Sequence, residues 1–193
     1  MGTRSISELV AEHPRVVFDT SILDATHASR ETKEAYNAEL EMILSLTDCY
    51  TVGSVPKEAR RVLRKPENFY RQVEKHRLAL GEWTELFKDI RARLIPQAKL
   101  CGPLERKSYG KGMTDVELVA LTYVMACGGP IALLSGDQDL MALANWQRRH
   151  ADVLGFRTGE VSLYLFSPVL ARFAPLDISY GTEQEVKYGR RVG

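Results

Sequence analysis

Two hydrophobic patterns take turns along this chain: short unbroken apolar runs, and longer stretches in which apolar residues recur every three or four positions. Residues 15–18 form a β-branched and aromatic run that ends at Asp19, the mark of a buried strand, and residues 31–46 then repeat apolar positions at helical spacing. Residues 49–53 read as a second short strand running into Ser54. Val55-Pro56-Lys57-Glu58 reads as a first helical turn, where the missing N–H of proline costs nothing. Residues 68–94 are charged and helix-forming, and predict one or two helices laid over the core. Residues 96–112 carry Pro96, Gly102, Pro103, Gly110 and Gly112 among lysines and arginines, and predict a loop. Thr114-Asp115-Val116-Glu117 opens a helix to about Ala126, which Gly128-Gly129-Pro130 stops before the apolar run at 131–134. Ser135-Gly136-Asp137 ends that run, a helix over 140–150 follows, and residues 161–166 are the last strand expected.

Alternation of strand and helix predicts an α/β fold: three α/β/α layers around a central, mostly parallel sheet with all strand C-termini on one edge. Its expected bounds are residues 14–170, with a charged helical and loop insertion at 66–112 and terminal extensions at 1–13 and 175–193. The total of 193 residues with 45% hydrophobic content suits one domain with a full core. No internal repeat or low-complexity tract interrupts it.

Cys49, Cys101 and Cys127 are an odd number without metal-ligand spacing, which argues against a disulfide scaffold. The first residues lack the apolar run of a signal peptide, so a cytoplasmic protein with reduced thiols is expected. No apolar segment approaches the roughly 20 residues that span a bilayer, so no membrane insertion is expected. The net charge of +1 conceals local bias. Basic residues cluster at Arg60, Arg61, Arg64 and Lys65, at Arg71, Lys75 and Arg77, at Arg106, Lys107 and Lys111, and at Arg148 and Arg149. A solvated helix face is the ordinary use of such clusters. The first is set apart because it follows Glu58 by one to two helical turns.

Five acidic residues fall where strands end or helices begin: Asp19, Glu58, Asp115, Asp137 and Asp139. A parallel sheet gathers such positions on one edge, where their mutual repulsion is relieved by a cation. All-oxygen ligands and the absence of His or Cys from these motifs favour Mg²⁺ or Mn²⁺ over zinc. Asp19 and Asp137 are expected as direct ligands, with Glu58, Asp115 and Asp139 beside them. Ser21 and Ser135 are expected to hold those carboxylates in place. Each residue also has a structural use. Thr114 and Glu117 would form a capping box around Asp115, Glu58 gains from a helix dipole, and Asp137 or Asp139 would cap the following helix. Asp19 alone ends a strand with no helix in need of an immediate cap.

Other chemistries lack their marks, since no nucleophile elbow, Walker loop or glycine-rich dinucleotide motif is present. His13, His27, His76 and His150 are scattered, as surface histidines are. Trp83 and Trp146 sit at core-like helical positions and are expected to pack.

VVFDTSIL with Asp19, VPKE with Glu58, TDVELVAL with Asp115 and LLSGDQDL with Ser135, Asp137 and Asp139 resemble the successive acidic motifs of PIN-domain nucleases. The resemblance runs over residues 16–166. It implies a PIN-like fold and an endoribonuclease that hydrolyses RNA phosphodiesters with Mg²⁺ or Mn²⁺, the ion supplying activated water and offsetting charge on the leaving 3′ oxygen. RNA phosphates need cations, and Arg60, Arg61, Arg64, Lys107 and Lys111 are the candidates. Structured transfer or ribosomal RNA is an expected target, and a homodimer the expected assembly. The same chemistry would serve a toxin silenced by an antitoxin protein, or a DNA nuclease. A non-catalytic RNA-binding scaffold is the remaining alternative.

Overall fold

Val16–Phe18 form strand β1, buried at every position, and β3 (Ile131–Ser135) is likewise buried throughout. Both read as continuous apolar runs because a central parallel strand is covered on both faces. The computed structural model describes residues 2–45, 48–101, 113–150 and 159–182. Within them five strands form one sheet in the order β2-β1-β3-β4-β5, with β2 at Cys49–Tyr50, β4 at Val161–Ser167 and β5 at Arg172–Pro175. The first four are parallel, and β5 runs antiparallel to β4. Register places Phe18 beside Leu134 and Leu134 beside Tyr164.

Seven α-helices surround the sheet among the described residues: α1 (Ile6–Glu12), α2 (Arg30–Ile43), α3 (Ser54–Val62), α4 (Glu67–Lys75), α5 (Thr84–Cys101), α6 (Met113–Ala126) and α7 (Gln138–Arg149). α1 packs on α2, whose Tyr36 stacks on Phe166 of β4 with ring centroids 5.1 Å apart. α6 and α7 lie against the sheet and α5 against both, an arrangement compatible with three α/β/α layers. Only Met113, Glu117 and Met125 of α6 are partly open, as expected of a helix that is apolar nearly all round.

Several segments differ from the expectation. The predicted loop at 96–112 begins too early, because α5 continues through Pro96 to Cys101; residues 102–112 lie outside the described residues. An interior proline costs about 3 kcal/mol. Here its ring and the carbonyl of Ala92 that it strands are on the exposed side, while Ile90, Leu94 and Ala98 are buried on the other. Burying Ile90 and Leu94 alone returns about 1.5–3 kcal/mol each, so packing outweighs the break.

The segment expected as an N-terminal extension holds α1, closed by a capping box between Ser5 and Glu8, with Ile6 and Leu9 fully buried. Arg4 pairs with Phe173 through backbone hydrogen bonds of 2.8 and 2.9 Å. The start of the expected C-terminal tail is also structured. Asn145, inaccessible to solvent, donates to the carbonyls of Asp177, Ile178 and Tyr180 at 3.1, 3.0 and 2.7 Å, which fastens that segment to α7. Trp146 packs as expected, whereas Trp83, in a 3₁₀ turn at Gly81–Trp83, is 39% exposed. His76 is buried rather than superficial, with ring nitrogens 2.8 Å from the Leu44 carbonyl and 3.0 Å from that of Cys49.

His13 follows α1 and meets Tyr164 Oη through Nε2 at 2.8 Å. Burial first, and the charge of Arg4 second, hold its pKa below the ordinary histidine value. Between the lowered and the ordinary value the unfolded chain binds more protons than the folded one, so stability from this site is complete above the ordinary value and is lost as pH falls through the lowered one. His13→Gln is expected to flatten the fall in melting temperature between about pH 7 and pH 5. An unchanged slope would rule His13 out as its source.

Candidate functional site

The sheet order creates one crevice. From β1 the chain crosses to β2 on one side and later returns to β3 on the other, so the connections leaving β1 and β3 diverge and leave a gap at the strand C-termini. Asp19 follows β1, and Gly136-Asp137 follow β3. The gap opens into a cavity of about 660 Å³. Asp19, Glu58, Asp115 and Asp137, from four separate segments, all line it. Asp139, the fifth expected carboxylate, is not among the lining residues; it lies in the first turn of α7, where its N–H donates to Asp137 at 2.8 Å.

Asp19 accepts four hydrogen bonds. Its Oδ1 accepts from the N–H of Thr20 at 2.6 Å, and its Oδ2 accepts from the N–H of Ser21 at 3.3 Å, from Ser21 Oγ at 2.6 Å and from Ser135 Oγ at 3.0 Å. The expectation that Asp19 has nothing to cap is therefore corrected: it caps a 3₁₀ turn at Thr20–Ile22. The backbone turns immediately after β1, and the two N–H groups freed there take the nearest acceptor. Oδ1 still has a lone pair to spare.

Ser21 and Ser135 both reach Asp19. Each hydroxyl has one proton, given to Asp19, and each accepts a backbone N–H in return: Gly136 to Ser21 at 2.7 Å, Asp137 to Ser135 at 2.9 Å. With both protons committed, the 3.3 Å separation of the two hydroxyl oxygens is a consequence of sharing Asp19. The loops after β1 and β3 are thereby stitched together. Ser135 is fully buried, so Ser135→Ala leaves the Asp137 N–H without its acceptor and is expected to cost about 1–3 kcal/mol, read as a lower melting temperature. A change within error would show that water replaces the hydroxyl.

Asp137 caps α7, its Oδ1 accepting from Asp139 and Leu140 N–H at 2.8 and 3.1 Å, so its structural use is realised too. Asp115 differs. Thr114 lies inside α6 rather than ahead of it, and Glu117 pairs with Arg91 of α5 at 3.6 Å, so the expected capping box is not what places Asp115. Asp115 and Asp19 are each only 6% exposed and mark the floor of the cavity. Glu58 is joined to the Asp19 turn by Thr20, whose Oγ1 donates to Glu58 Oε2 at 3.3 Å. Helical first turns at Ser54, Asp115 and Asp137 bring positive dipole ends that temper the gathered negative charge.

The chain matches no known protein-family model, no curated protein and no solved structure.

The donor set is carboxylate and hydroxyl oxygen, which fits a hard divalent cation rather than zinc. Among the described residues no three carboxylate, imidazole or thiol groups form a cluster able to hold a metal ion. Asp19 is drawn instead toward two hydroxyls, and Asp137 toward the start of α7.

Of the expected RNA-binding cations, Arg61 lines the cavity. Arg60 does not: its guanidinium pairs with Glu67 of α4 at 2.9 Å and lies over the Tyr70 ring. Arg64 is exposed beyond the end of α3, and Lys107 and Lys111 lie outside the described residues. Lys57 lines the cavity and was missed, although its four-residue spacing from Arg61 was there to be read. Asp24 was missed as well. It lines the cavity and is paired with Lys33 at 2.9 Å and Lys65 at 3.7 Å.

Proposed function

We propose that this chain is a PIN-like, metal-dependent endoribonuclease, with Asp19, Glu58, Asp115 and Asp137 as the groups that hold Mg²⁺ or Mn²⁺. One observation carries the reading: four carboxylates from distant segments converge on one cavity at the diverging ends of β1 and β3, beside the cations Lys57 and Arg61. Capping accounts for Asp19 and Asp137 one at a time. It gives no reason for Glu58 and Asp115 to line the same hollow. A divalent ion in that hollow supplies a water reactive at neutral pH and offsets charge on the leaving oxygen.

The chain's own residues do the rest. Ser21 and Ser135 orient Asp19 through Oδ2, so that the remaining lone pair of Oδ1, which also accepts the Thr20 N–H, would face the ion. Thr20 brings Glu58 toward Asp19. In the hydrolysis, water oxygen bonds to phosphorus, the bond from phosphorus to the 3′ oxygen breaks, and the 3′ oxygen leaves with a proton. The products are a 5′-phosphate and a 3′-hydroxyl. The unpaired thiols of Cys49 and Cys127 support a reducing, cytoplasmic setting. Among the described residues no helix is long and apolar enough to cross a membrane.

The test is incubation of a mixed RNA pool with the protein in Mn²⁺ and in excess chelator. Fragments with 5′-phosphates in Mn²⁺ and intact RNA in chelator are expected. Intact RNA in both, or cleavage that survives the chelator, would refute the proposal.

A further inference from the structure

Helix α3 presents two faces. Val55, Pro56 and Ala59 are buried against the protein, while Ser54, Lys57, Glu58 and Arg61 line the cavity, the i, i+3, i+4, i+7 stripe of a single helical surface. Glu58 is accounted for by its bond to Thr20. The other three are not. Lys57 and Arg61 are exposed, lie one turn apart, and form no ion pair among the described residues, although acidic side chains line the same hollow. Ser54 Oγ has no hydrogen-bond partner but is shut off from solvent, so it is not offered to a ligand in the cavity. Gly53 gives the start of α3 no side-chain cap, and the Arg77 guanidinium rests against it, 2.9 Å from where a Cβ would stand. Two uncommitted cations one turn apart on the face that lines the cavity are the components of a site for a phosphate group.

We propose that Lys57 and Arg61 form a phosphate subsite that grips an RNA phosphodiester neighbouring the one being cleaved. This rests on the nuclease reading above. Depth separates the two positions. Asp19 and Asp115, each 6% exposed, define the floor where the reacting phosphate meets the ion, whereas Lys57 and Arg61 are open to solvent at the mouth. A strand entering the cavity therefore meets the cations with one phosphate while presenting another to the carboxylates. The subsite adds affinity for a chain and contributes much less to a substrate with one phosphodiester.

The experiment uses the full chain and the variants Lys57→Gln, Arg61→Gln and, as a control aimed away from the cavity, Arg60→Gln. Binding of a fluorescent RNA of about 12 nucleotides is followed against salt, in Ca²⁺ and again in chelator. Lys57→Gln and Arg61→Gln are each expected to lower the slope of log affinity against log salt by about 0.7, and Arg60→Gln to leave it unchanged. In turnover, Lys57→Gln raises KM for the oligonucleotide with little change in kcat, and affects hydrolysis of a nucleoside 5′-(p-nitrophenyl phosphate) to a much smaller extent. An unchanged slope, an equal effect from Arg60→Gln, or an equal loss on the single-diester substrate overturns the subsite. If the wild type cleaves neither substrate while the slopes shift as expected, the nuclease reading fails and the phosphate subsite stands.

Discussion

Asp19→Asn is expected to reduce RNA cleavage at least about 100-fold while leaving the fold intact, because removal even of a group that only supports a metal ligand costs 10–100-fold. The amide is the same size and keeps one carbonyl oxygen, so it can still accept the Thr20 N–H or the serine hydroxyls. What it loses is negative charge at the floor of the cavity, where Asp19 is 6% exposed. Structural use of Asp19 makes the opposite forecast: a substitution that disturbs only the 3₁₀ cap lowers the melting temperature and leaves turnover of the folded fraction alone. Cleavage rate per folded molecule, with folding followed by circular dichroism, separates the two. Turnover within a few-fold of wild type would remove Asp19 from the chemistry.

Leu133→Ala is expected to destabilise the protein by about 2–5 kcal/mol, a large share of the 5–15 kcal/mol that holds a typical domain together. Leu133 has no solvent exposure, and its strand pairs with β1 on one side and β4 on the other. Truncation opens a void that three rigidly paired strands close poorly. β3 also carries Ser135 at its end and positions Asp137, so loss of activity with temperature should track unfolding in this variant. Chemical denaturation measures the change. A loss below about 1 kcal/mol would mean that the site collapses freely, contrary to its place in the centre of the sheet.

The parts of the fold legible in the sequence were those written in local chemistry. Val16–Phe18 and Ile131–Ser135 announce themselves because strands covered on both faces must be apolar throughout, and each is ended by polar residues. Those same ends carry Asp19 and Asp137, so the site and the sheet were readable together. Arg172–Pro175 escaped because four residues beginning with arginine and ending in proline carry little strand signal; pairing with β4 and the backbone bridge from Phe173 to Arg4 make the strand. Pro96 was read by its local rule, and burial of Ile90 and Leu94 decided otherwise.

The cations show a different limit. Arg60, Arg61 and Arg64 look alike as a run of charges, yet neighbouring residues on a helix point about 100° apart. Arg61 shares its face with Lys57 and Glu58, while Arg60 turns toward Glu67 and Tyr70. Helical phase, applied before charge counting, separates the residue that reaches the cavity from the one that does not. Asp24 was invisible for another reason. Nothing near it in the chain shows that Lys33 and Lys65 will neutralise it at the cavity wall.

The most direct measurement is Mn²⁺ binding, by titration calorimetry or electron paramagnetic resonance, to the wild-type protein and to Asp19→Asn and Asp115→Asn variants that remain folded. Saturable binding of about one or two ions, weakened at least tenfold in both variants, is the predicted result. No saturable binding to the wild type, or binding untouched by both substitutions, would contradict a carboxylate metal site in this cavity.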